Sequence, residues 1–403
     1  FFLLFLFLHF IELYAVVWPI DPQSSSHPIE HGFGDFEGSA GFHDAIDIPA
    51  PAGTEVKACI TGVIRDIRRT GSSTGDGISI CPSIENAGYY WSYGHLYDIP
   101  KNFKGVYKEG GGMEDPDSVT VIPTTNFVLG KVIAWPGGGG PTDHIHFYYC
   151  YDNRIDHSHP FDSLRPLPNM TPYVDFISFR KDKSSSRSDD FTENTNYGIK
   201  LYGDIDIIAG AHTDFNGNIK SGVNSISYEV QNSSGGVAVE ARELMDFKTM
   251  IYMHARDLGL QGLVYDAAYR TSTDYFTAQG NPYIVTNAWQ TGEAYSINAA
   301  ERCWATKAES SESGTKSSDK KALINPNAKF LDGVYKVCVR AYDYLDYLAI
   351  DSVFVLLDNF VPYVYAVMVT RGNEVVHNAM WLLNSIEDSL EFNERISKNV
   401  SPG

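Results

Sequence analysis

A chain of 403 residues is too long for one ordinary hydrophobic core, so the sequence predicts roughly two or three domains. Its formal net charge of −19 and the lack of a basic stripe argue against nucleic acid or an anionic membrane surface as a partner. Tyr, Phe, Gly, Ser and Asn are abundant and long helix-forming runs are rare, which favours a mainly β protein.

The first 17 residues are almost wholly apolar and resemble the core of a signal peptide. The run is too short for a membrane span and ends near a small residue, Ala15, after which we expect cleavage. Neither an initiator Met nor a basic segment precedes it, so we interpret residues 1–17 as a signal-peptide remnant; a buried N-terminal strand is the alternative. We expect an exported protein, in the periplasm, cell envelope or extracellular space, without a membrane span in the mature chain.

An exported protein can form disulfides, but this sequence makes little use of them. Its 5 cysteines are widely spaced and odd in number, so they predict no disulfide framework. Cys59 and Cys81 each end a strand-like run and could pair, or both could be small buried residues without a bridge.

Short strand-like runs bounded by Gly or Pro turns begin at Ile46 and predict a β-meander. Before them, residues 18–41 are rich in Gly and Ser, and we expect His27 and His31 there to be solvated loop residues. The predicted strands are 54–60, 62–67, 77–81, 89–96 and 127–134.

A His-x-His pair, His144 and His146, follows the glycine block 137–140 and lies on an apolar run. Side chains two residues apart on a strand point to the same face, so the two imidazoles are predicted to share one space. The glycines before the pair permit close backbone approach, which suits a turn that faces a substrate.

Two upstream islands supply further ligand-type side chains: His43 and Asp47 in one, His95 in the other. The i, i+4 spacing of the first two would suit a helix face, but the alternation of Ile46 and Ile48 and the prolines that follow favour a loop that runs into a strand. These side chains and the His-x-His pair together indicate a metal centre. Two histidines and a carboxylate also describe the facial triad of non-haem iron oxygenases, which spacing alone does not exclude.

In chain order the islands read His-x-x-x-Asp at 43–47, Tyr-x-His-Leu at 93–96, and a glycine-rich turn before His-x-His-Phe at 144–147. Over residues 32–168 this order resembles the lysostaphin/LytM-type zinc metallopeptidases, which are peptidoglycan endopeptidases. The resemblance implies an antiparallel β-sheet peptidase domain with an active-site groove and one zinc ion. The family has Gly where Ala45 stands and Glu where Tyr148 stands, which leaves groove shape and specificity open.

The resemblance also implies roles: His43, Asp47 and His146 as zinc ligands, and His95 and His144 as catalytic histidines. Two neutral imidazoles and one carboxylate leave zinc a net positive charge and an open fourth position, as in catalytic zinc sites. Water bound to such zinc has a pKa of about 7 in well-known cases. The catalytic histidines could take the water's proton, donate to the oxyanion and protonate the leaving amine, and the sequence does not divide these roles between them.

Prolines in the segment 164–172 break strand and helix alike and predict a domain boundary. A second His-x-His before it, His157 and His159, is surrounded by turn residues and predicts a loop at the domain edge. Beyond the boundary, several alternating or apolar runs are typical of a β-sandwich, and residues 332–343 resemble the later strands of immunoglobulin-like modules. The runs are 203–209, 225–230, 334–342 and 352–357.

The predicted organisation has four parts. They are a signal-peptide remnant at 1–17, a zinc metallopeptidase domain at 18–172, an immunoglobulin-like β-sandwich at 173–362 and a C-terminal extension at 363–403. A long insertion at about 240–330 interrupts the sandwich, and its low-complexity part, 307–321, predicts a solvated loop.

The function indicated is that of an exported, monomeric zinc endopeptidase that hydrolyses peptidoglycan cross-links or stem peptides. A rival is a non-catalytic surface binding protein that keeps the peptidase fold as a scaffold. Degenerate members of the family typically lose ligands or catalytic histidines, whereas all the ligand and catalytic positions are filled here. A zinc peptidase acting on free proteins is a further alternative that the sequence leaves open.

Overall fold

Strands dominate the fold, as the composition predicts. The computed structural model describes residues 16–36, 41–69, 76–82, 89–98, 126–127, 132–136, 144–151, 156–215, 219–251, 257–269, 280–288, 303–306, 330–359, 363–371 and 374–383. The predicted signal-peptide core at 1–15 and the low-complexity segment at 307–321 lie outside these residues. Among the helices in the described ranges, none is long and apolar enough to cross a membrane.

The strands of the N-terminal half follow the Gly and Pro turns of the sequence. They are β1 (Ile46–Pro49), β2 (Val56–Lys57), β3 (Gly62–Arg69), β4 (Asp76–Pro82), β5 (Tyr89–Asp98), β6 (Asn126–Phe127), β7 (Val132–Pro136), β8 (His144–Tyr151) and β9 (Asp156–Ser158).

The C-terminal half adds longer strands and a short helix, α1 (Leu258–Val264). Its strands are β10 (Met170–Lys181), β11 (Asn194–Thr195), β12 (Gly198–Leu201), β13 (Asp204–Phe215), β14 (Ile219–Ser221), β15 (Ser225–Asn232), β16 (Val237–Asp246), β17 (Thr249–Ile251), β18 (Asn281–Ile284), β19 (Trp304–Ala305), β20 (Gly333–Tyr342), β21 (Leu348–Leu357), β22 (Tyr363–Arg371) and β23 (Glu374–Leu383).

One sheet contains the strands of the N-terminal half in the order β17-β9-β8-β5-β4-β3-β6, with β1 paired to β8 and β7 paired to β5 and β2. The antiparallel neighbours β3, β4 and β5 confirm the predicted meander. The predicted strand 54–60 is wrong in extent, because β2 covers only Val56–Lys57 and backbone groups of Lys57 and Cys59 bond to the N-terminal segment. Lys57 N–H donates to Pro19 O at 2.7 Å, and Val17 N–H donates to Cys59 O at 3.2 Å.

The residues that follow Ala15 belong to the hydrophobic core. Val16 is fully buried and forms a parallel bridge with Leu164, and the indole N–H of buried Trp18 donates to Pro166 O at 2.7 Å. The prediction that His27 is solvated is wrong, because its ring lies 5.4 Å from Trp18 and burial lowers its pKa. A Gly- and Ser-rich composition therefore marks an irregular segment here, although not an exposed one.

Cys59 is a free thiol in the core, so the alternative without a bridge holds for this residue. Burial raises its pKa to about 12, and the Tyr93 hydroxyl donates to its Sγ at 2.7 Å. Tyr93 lies in β5 opposite Phe147 of β8, which ties the buried thiol to the two strands that carry three of the predicted site histidines.

Two further sheets form the C-terminal half. The first has the path β10-β13-β14 with β18 and β19 also paired to β13, and the second has the order β11-β12-β21-β20-β15-β16. Strand β10 contacts β20 and β21, so the two sheets pack on each other. Strands are present at all the predicted runs, and the immunoglobulin-like assignment stays a prediction. In the C-terminal extension, β22 and β23 form an antiparallel hairpin.

The two halves of the chain are in direct contact. Strand β17 pairs with β9, where Met250 is opposite His157, and thereby joins the sheet of the N-terminal half. One hydrophobic cluster runs through both halves, from Trp18 and Phe42 to Phe247 and Tyr283. The division at 172 stays a prediction, and the described part of the proposed insertion supplies β17 and α1 to this junction.

His159 lies in a loop just after β9, as predicted, but it is buried among aromatic rings, whereas His157 belongs to β9 and the loop prediction is wrong for it. The ring of His159 is 5.0 Å from Phe33 and 4.5 Å from Tyr344, and its Nδ1 accepts a hydrogen bond from the Phe161 N–H at 3.2 Å. Burial lowers its pKa to about 3. The neutral form is therefore the one that the fold accommodates.

We expect this histidine to make the protein less stable in acid. Below about pH 6.5 the unfolded chain binds a proton at His159 that the folded chain excludes, so stability falls by about 1.4 kcal/mol per pH unit as the pH drops towards 3. Chemical denaturation at several pH values measures this slope. His159→Asn keeps an acceptor for Phe161 and should give a shallower slope; equal slopes for both proteins would contradict the prediction.

Candidate metal centre

Three neighbouring strands carry most of the predicted site residues. Strands β1 and β5 both pair with β8 in antiparallel fashion, and β8 lies between them. In this register Asp47 of β1 is opposite His146 on one side, and Gly94 of β5 is opposite it on the other. His144 lies two residues earlier on β8 and therefore faces the same side of the sheet as His146.

His43 lies in the loop just before β1, which confirms the predicted loop that runs into a strand. Its side chain is 1% exposed, and its Nδ1–H donates to the Gly32 carbonyl at 2.8 Å. That hydrogen bond leaves Nε2 as the nitrogen that presents a lone pair to the centre. The loop is reinforced by its backbone, since the His43 N–H donates to Asp35 O at 2.6 Å.

Three donor atoms converge in the centre: His43 Nε2, Asp47 Oδ1 and His146 Nδ1. The distance from His43 to Asp47 is 3.2 Å, from His43 to His146 is 3.1 Å, and from Asp47 to His146 is 3.1 Å. Ligands about 2.0 Å from a tetrahedral zinc ion lie about 3.3 Å from one another. The triangle therefore has the size and the donor chemistry that one zinc ion requires, and two acceptors that face each other at 3.2 Å are stabilised by a shared cation.

The electrostatics of the centre favour a cation. Burial alone would lower the pKa of His146, but hydrogen bonds with Asp44 and Asp47 outweigh it and raise the pKa to about 10. Burial alone would raise the pKa of Asp47, but the attraction of His43 and hydrogen bonds from His146 and His31 hold it well below its usual range. The carboxylate stays ionised, and the centre attracts positive charge.

Asp44 is a site residue that the sequence pattern does not reveal. Its Oδ1 lies 3.3 Å from the Nε2 of His146, on the opposite side of the ring from the three-atom triangle. Metal-binding histidines commonly donate their second ring N–H to a carboxylate, which orients the ring and makes it a better ligand. The pairing of Asp44 with His146 is decided by tertiary packing, because the two residues lie 102 positions apart.

We expect Asp44→Ala to weaken zinc binding by about 10- to 100-fold, the usual effect of losing a carboxylate behind a metal-binding histidine. Competition with a chromophoric chelator measures the change. Asp21→Ala is the matched control, because Asp21 is an exposed carboxylate paired with Lys57. Equal zinc affinity in the Asp44 variant and the control would show that Asp44 does not support the centre.

His95 and His144 border the triangle. Their ring centroids are 4.8 Å apart and nearly perpendicular, and the ring of His95 lies 5.3 Å from that of His146. His144 Nε2 is 3.4 Å from Asp47 Oδ2, the carboxylate oxygen outside the triangle. His95 has a φ of 59°, a left-handed conformation that few non-glycine residues adopt and that is concentrated at functional sites. All the predicted ligand and catalytic residues thus lie together at one face of the sheet.

His31 is a further histidine of the centre, so the prediction that it is solvated is wrong. Its ring stacks on that of His43 at 4.0 Å, and its two nitrogens lie 3.6 Å from Asp47 Oδ2 and 3.7 Å from Asp35 Oδ2. The ligand atoms of His31, His43 and Asp47 lie within 4.8 Å of one another. His146 nevertheless lies closer to Asp47 than His31 does, and its Nδ1 is 3.1 Å from both His43 Nε2 and Asp47 Oδ1.

Gly94 gives the His146 side chain its space. A Cβ added at this position would lie 3.2 Å from the Cβ of His146 and 3.4 Å from its carbonyl oxygen. A larger side chain would therefore push His146 away from Asp47, which explains the glycine in the Tyr-x-His-Leu island.

No protein-family model matches this chain, and no curated protein matches it. Among solved structures, the catalytic domain of lysostaphin from Staphylococcus simulans is similar over 34% of this chain and 90% of that chain, with 21% identity and a TM-score of 0.24. A point mutant of the catalytic domain of the prophage-encoded M23 protein EnpA from Enterococcus faecalis is similar over 34% of this chain and 87% of that chain, with 19% identity and a TM-score of 0.23. Csd3 from Helicobacter pylori is similar over 38% of this chain and 34% of that chain, with 17% identity and a TM-score of 0.25. Similarity at this level leaves the function to be argued from the site itself.

Proposed function

We propose that this chain is a zinc-dependent metalloendopeptidase that hydrolyses peptide bonds of peptidoglycan. The observation that carries the proposal is the triangle of His43 Nε2, Asp47 Oδ1 and His146 Nδ1, whose sides measure 3.1 to 3.2 Å. Two more histidines, His95 and His144, stand beside it. A three-ligand metal site with adjacent acid–base groups is the arrangement that metal-assisted hydrolysis needs.

The atoms of the triangle are the proposed zinc ligands. Zinc held there would polarise the scissile carbonyl and lower the pKa of a bound water to about 7. The second ring nitrogen of His43 donates to Gly32 O, and that of His146 donates to the Asp44 carboxylate. Both ligand rings are thereby held in fixed orientations. His31 is not assigned as a ligand, because its nearest approach to Asp47 is 3.6 Å and involves the oxygen outside the triangle.

Proton transfer is assigned to His95 and His144. The contact between His144 Nε2 and Asp47 Oδ2 orients the imidazole and stabilises its charged form after it takes a proton from the attacking water. His95 stands edge-on to His144 at 4.8 Å and can donate a hydrogen bond to the oxyanion. The proton taken by the pair is then delivered to the leaving amine, which completes hydrolysis without a net change at either histidine.

Peptidoglycan is proposed as the substrate because the three islands between His43 and Phe147 resemble those of peptidoglycan endopeptidases. Export to the cell envelope is part of this proposal. The principal alternative is a surface binding protein that keeps the fold as a scaffold, and the filled positions and the close triangle favour the enzyme over it. A peptidase for free proteins would use the same geometry, and a non-haem iron site would use the same three donor types.

Charge makes one further prediction about substrate binding. A formal net charge of −19 gives no general attraction to anionic wall polymers, so binding should come from the groove or the C-terminal half. We expect binding to sacculi in a pelleting assay to depend weakly on salt. A steep loss of binding between low and moderate ionic strength would contradict this.

The test of the proposed function is digestion of sacculi with different cross-bridges, with the released muropeptides identified by mass spectrometry. Zinc-loaded protein should release peptide-cleaved fragments, and chelation should abolish the release until zinc is restored. Cleavage of a denatured protein such as casein without release from any sacculus would identify a peptidase for free proteins. Cleavage of neither substrate would favour the scaffold, and oxygen consumption by the ferrous-iron protein without hydrolysis would favour the iron alternative.

A further inference from the structure

The loop before β1 is held by the C-terminal half of the chain through one buried carboxylate, Asp35. Its Oδ2 accepts from the Gly32 N–H at 2.8 Å and from the Ser221 hydroxyl at 2.7 Å. Its Oδ1 accepts from the Gly222 N–H at 2.5 Å and from the Asn281 side-chain amide at 3.2 Å. The C-terminal half therefore supplies three of these four donors, from the last residue of β14, the glycine that follows it and the first residue of β18.

A short path leads from Asp35 to the proposed metal centre. Gly32 donates its N–H to the Asp35 carboxylate and accepts, through its carbonyl, the Nδ1–H of His43 at 2.8 Å. The backbone carbonyl of Asp35 accepts the His43 N–H at 2.6 Å. Asp35 thus holds Gly32, whose carbonyl orients the His43 ring, and its own backbone carbonyl holds the backbone of His43.

The two halves of the chain are tightly packed where Gly32 and Gly222 meet the opposite segment. A Cβ on Gly32 would overlap the hydroxyl oxygen of Ser221, and a Cβ on Gly222 would overlap Oδ1 of Asp35. The backbone of each glycine therefore lies directly against a polar side chain of the other segment. A displacement of the loop around Ser221 must move the loop that orients His43.

The C-terminal half contacts the loop before β1 at a second place. The Tyr265 hydroxyl donates to Gly34 O at 2.6 Å, and the ring of Phe42, next to His43 in the chain, lies 5.5 Å from Phe247 and 5.8 Å from Tyr265. These apolar contacts bury the loop, and the hydrogen bonds to Asp35 set its register.

We propose that Asp35 is a positioning residue of the metal centre. By holding Asp35 in place, Ser221 and Asn281 of the C-terminal half raise the affinity of the metal centre for zinc. The inference rests on the proposed function, since it takes the centre to be a zinc site. It also goes beyond it, because every proposed ligand lies between His43 and His146, whereas Ser221 is 186 residues from Asp35 in sequence.

The experiment compares zinc affinity in the full-length chain, by competition with a chromophoric chelator, for the wild type and for Ser221→Ala combined with Asn281→Ala. We expect the double variant to bind zinc about 10- to 100-fold more weakly, the usual effect of losing support behind a ligand. Ser221→Ala alone, the milder change, should shift the affinity in the same direction.

Ser227→Ala is the control for general destabilisation, because Ser227 is also buried but lies in β15 opposite Arg340 of β20. Its zinc affinity should equal that of the wild type.

Three results would count against the inference. If the wild type binds zinc and both Ser221 variants bind it within about twofold of the wild type, the C-terminal half does not tune the centre and only the inference fails. If the wild type binds no zinc, the proposed function fails and the inference fails with it. Equal weakening in Ser227→Ala would also count against a specific role for Asp35.

Discussion

Replacing His146 with alanine is expected to empty the metal centre. The substitution removes one of three proposed protein ligands and leaves the two acceptors, His43 Nε2 and Asp47 Oδ1, without their third partner. Zinc content should fall from about one ion per chain to near zero, with hydrolysis lost in parallel. Metal analysis of the purified, folded variant measures the change directly.

His212→Ala is a matched control for this substitution. His212 is also a buried histidine beside a carboxylate, since its Nδ1 lies 2.6 Å from Asp175, but it belongs to β13 of another sheet. The control should keep its zinc. If His146→Ala keeps zinc while His144→Ala loses it, the roles of the two histidines are exchanged, and if neither variant loses zinc the proposed centre is wrong.

Replacing His144 with alanine should give the opposite combination: zinc retained and catalysis lost. His144 contacts Asp47 through the carboxylate oxygen outside the triangle, so its removal leaves the three donor atoms in place. A positioned acid or base contributes a factor of about 10² to 10⁴, and kcat on a soluble peptide should fall by that amount. The plot of kcat against pH should also lose the limb that reports the ionisation of His144.

A rate within about tenfold of the wild type would remove His144 from the proton-transfer pathway. The same assay on His95→Ala tests the other member of the pair, and zinc content is measured on the same samples so that metal loss is not mistaken for loss of catalysis. If the two variants keep both zinc and full activity, the two histidines serve binding or structure, and another group moves the proton.

From the sequence alone, the proposed ligands and catalytic histidines followed from the resemblance of three short motifs to a peptidase family, and strand periodicity, a local property, placed two of these histidines on one face. His144 and His146 share a face whatever the strand pairs with, and the prolines after Ile48 forced Asp47 onto a short strand instead of a helix. The mainly β composition and the turn spacing likewise predicted β3, β4 and β5 as neighbours. These inferences hold because each depends on residues that are close together in sequence.

Tertiary structure alone decided which residues support those members, because that depends on register and on packing between distant segments. Periodicity does not say that Asp47 is opposite His146, which nitrogen of each ring faces the centre, or that Asp44 lies behind His146. His31 seemed a solvated loop residue, since a Gly- and Ser-rich segment carries no burial signal of its own. The sequence carries no signal for Asp35, because two of its hydrogen-bond donors, Ser221 and Asn281, lie far away in sequence. Only folding brings these donors and the carboxylate together in one buried cluster.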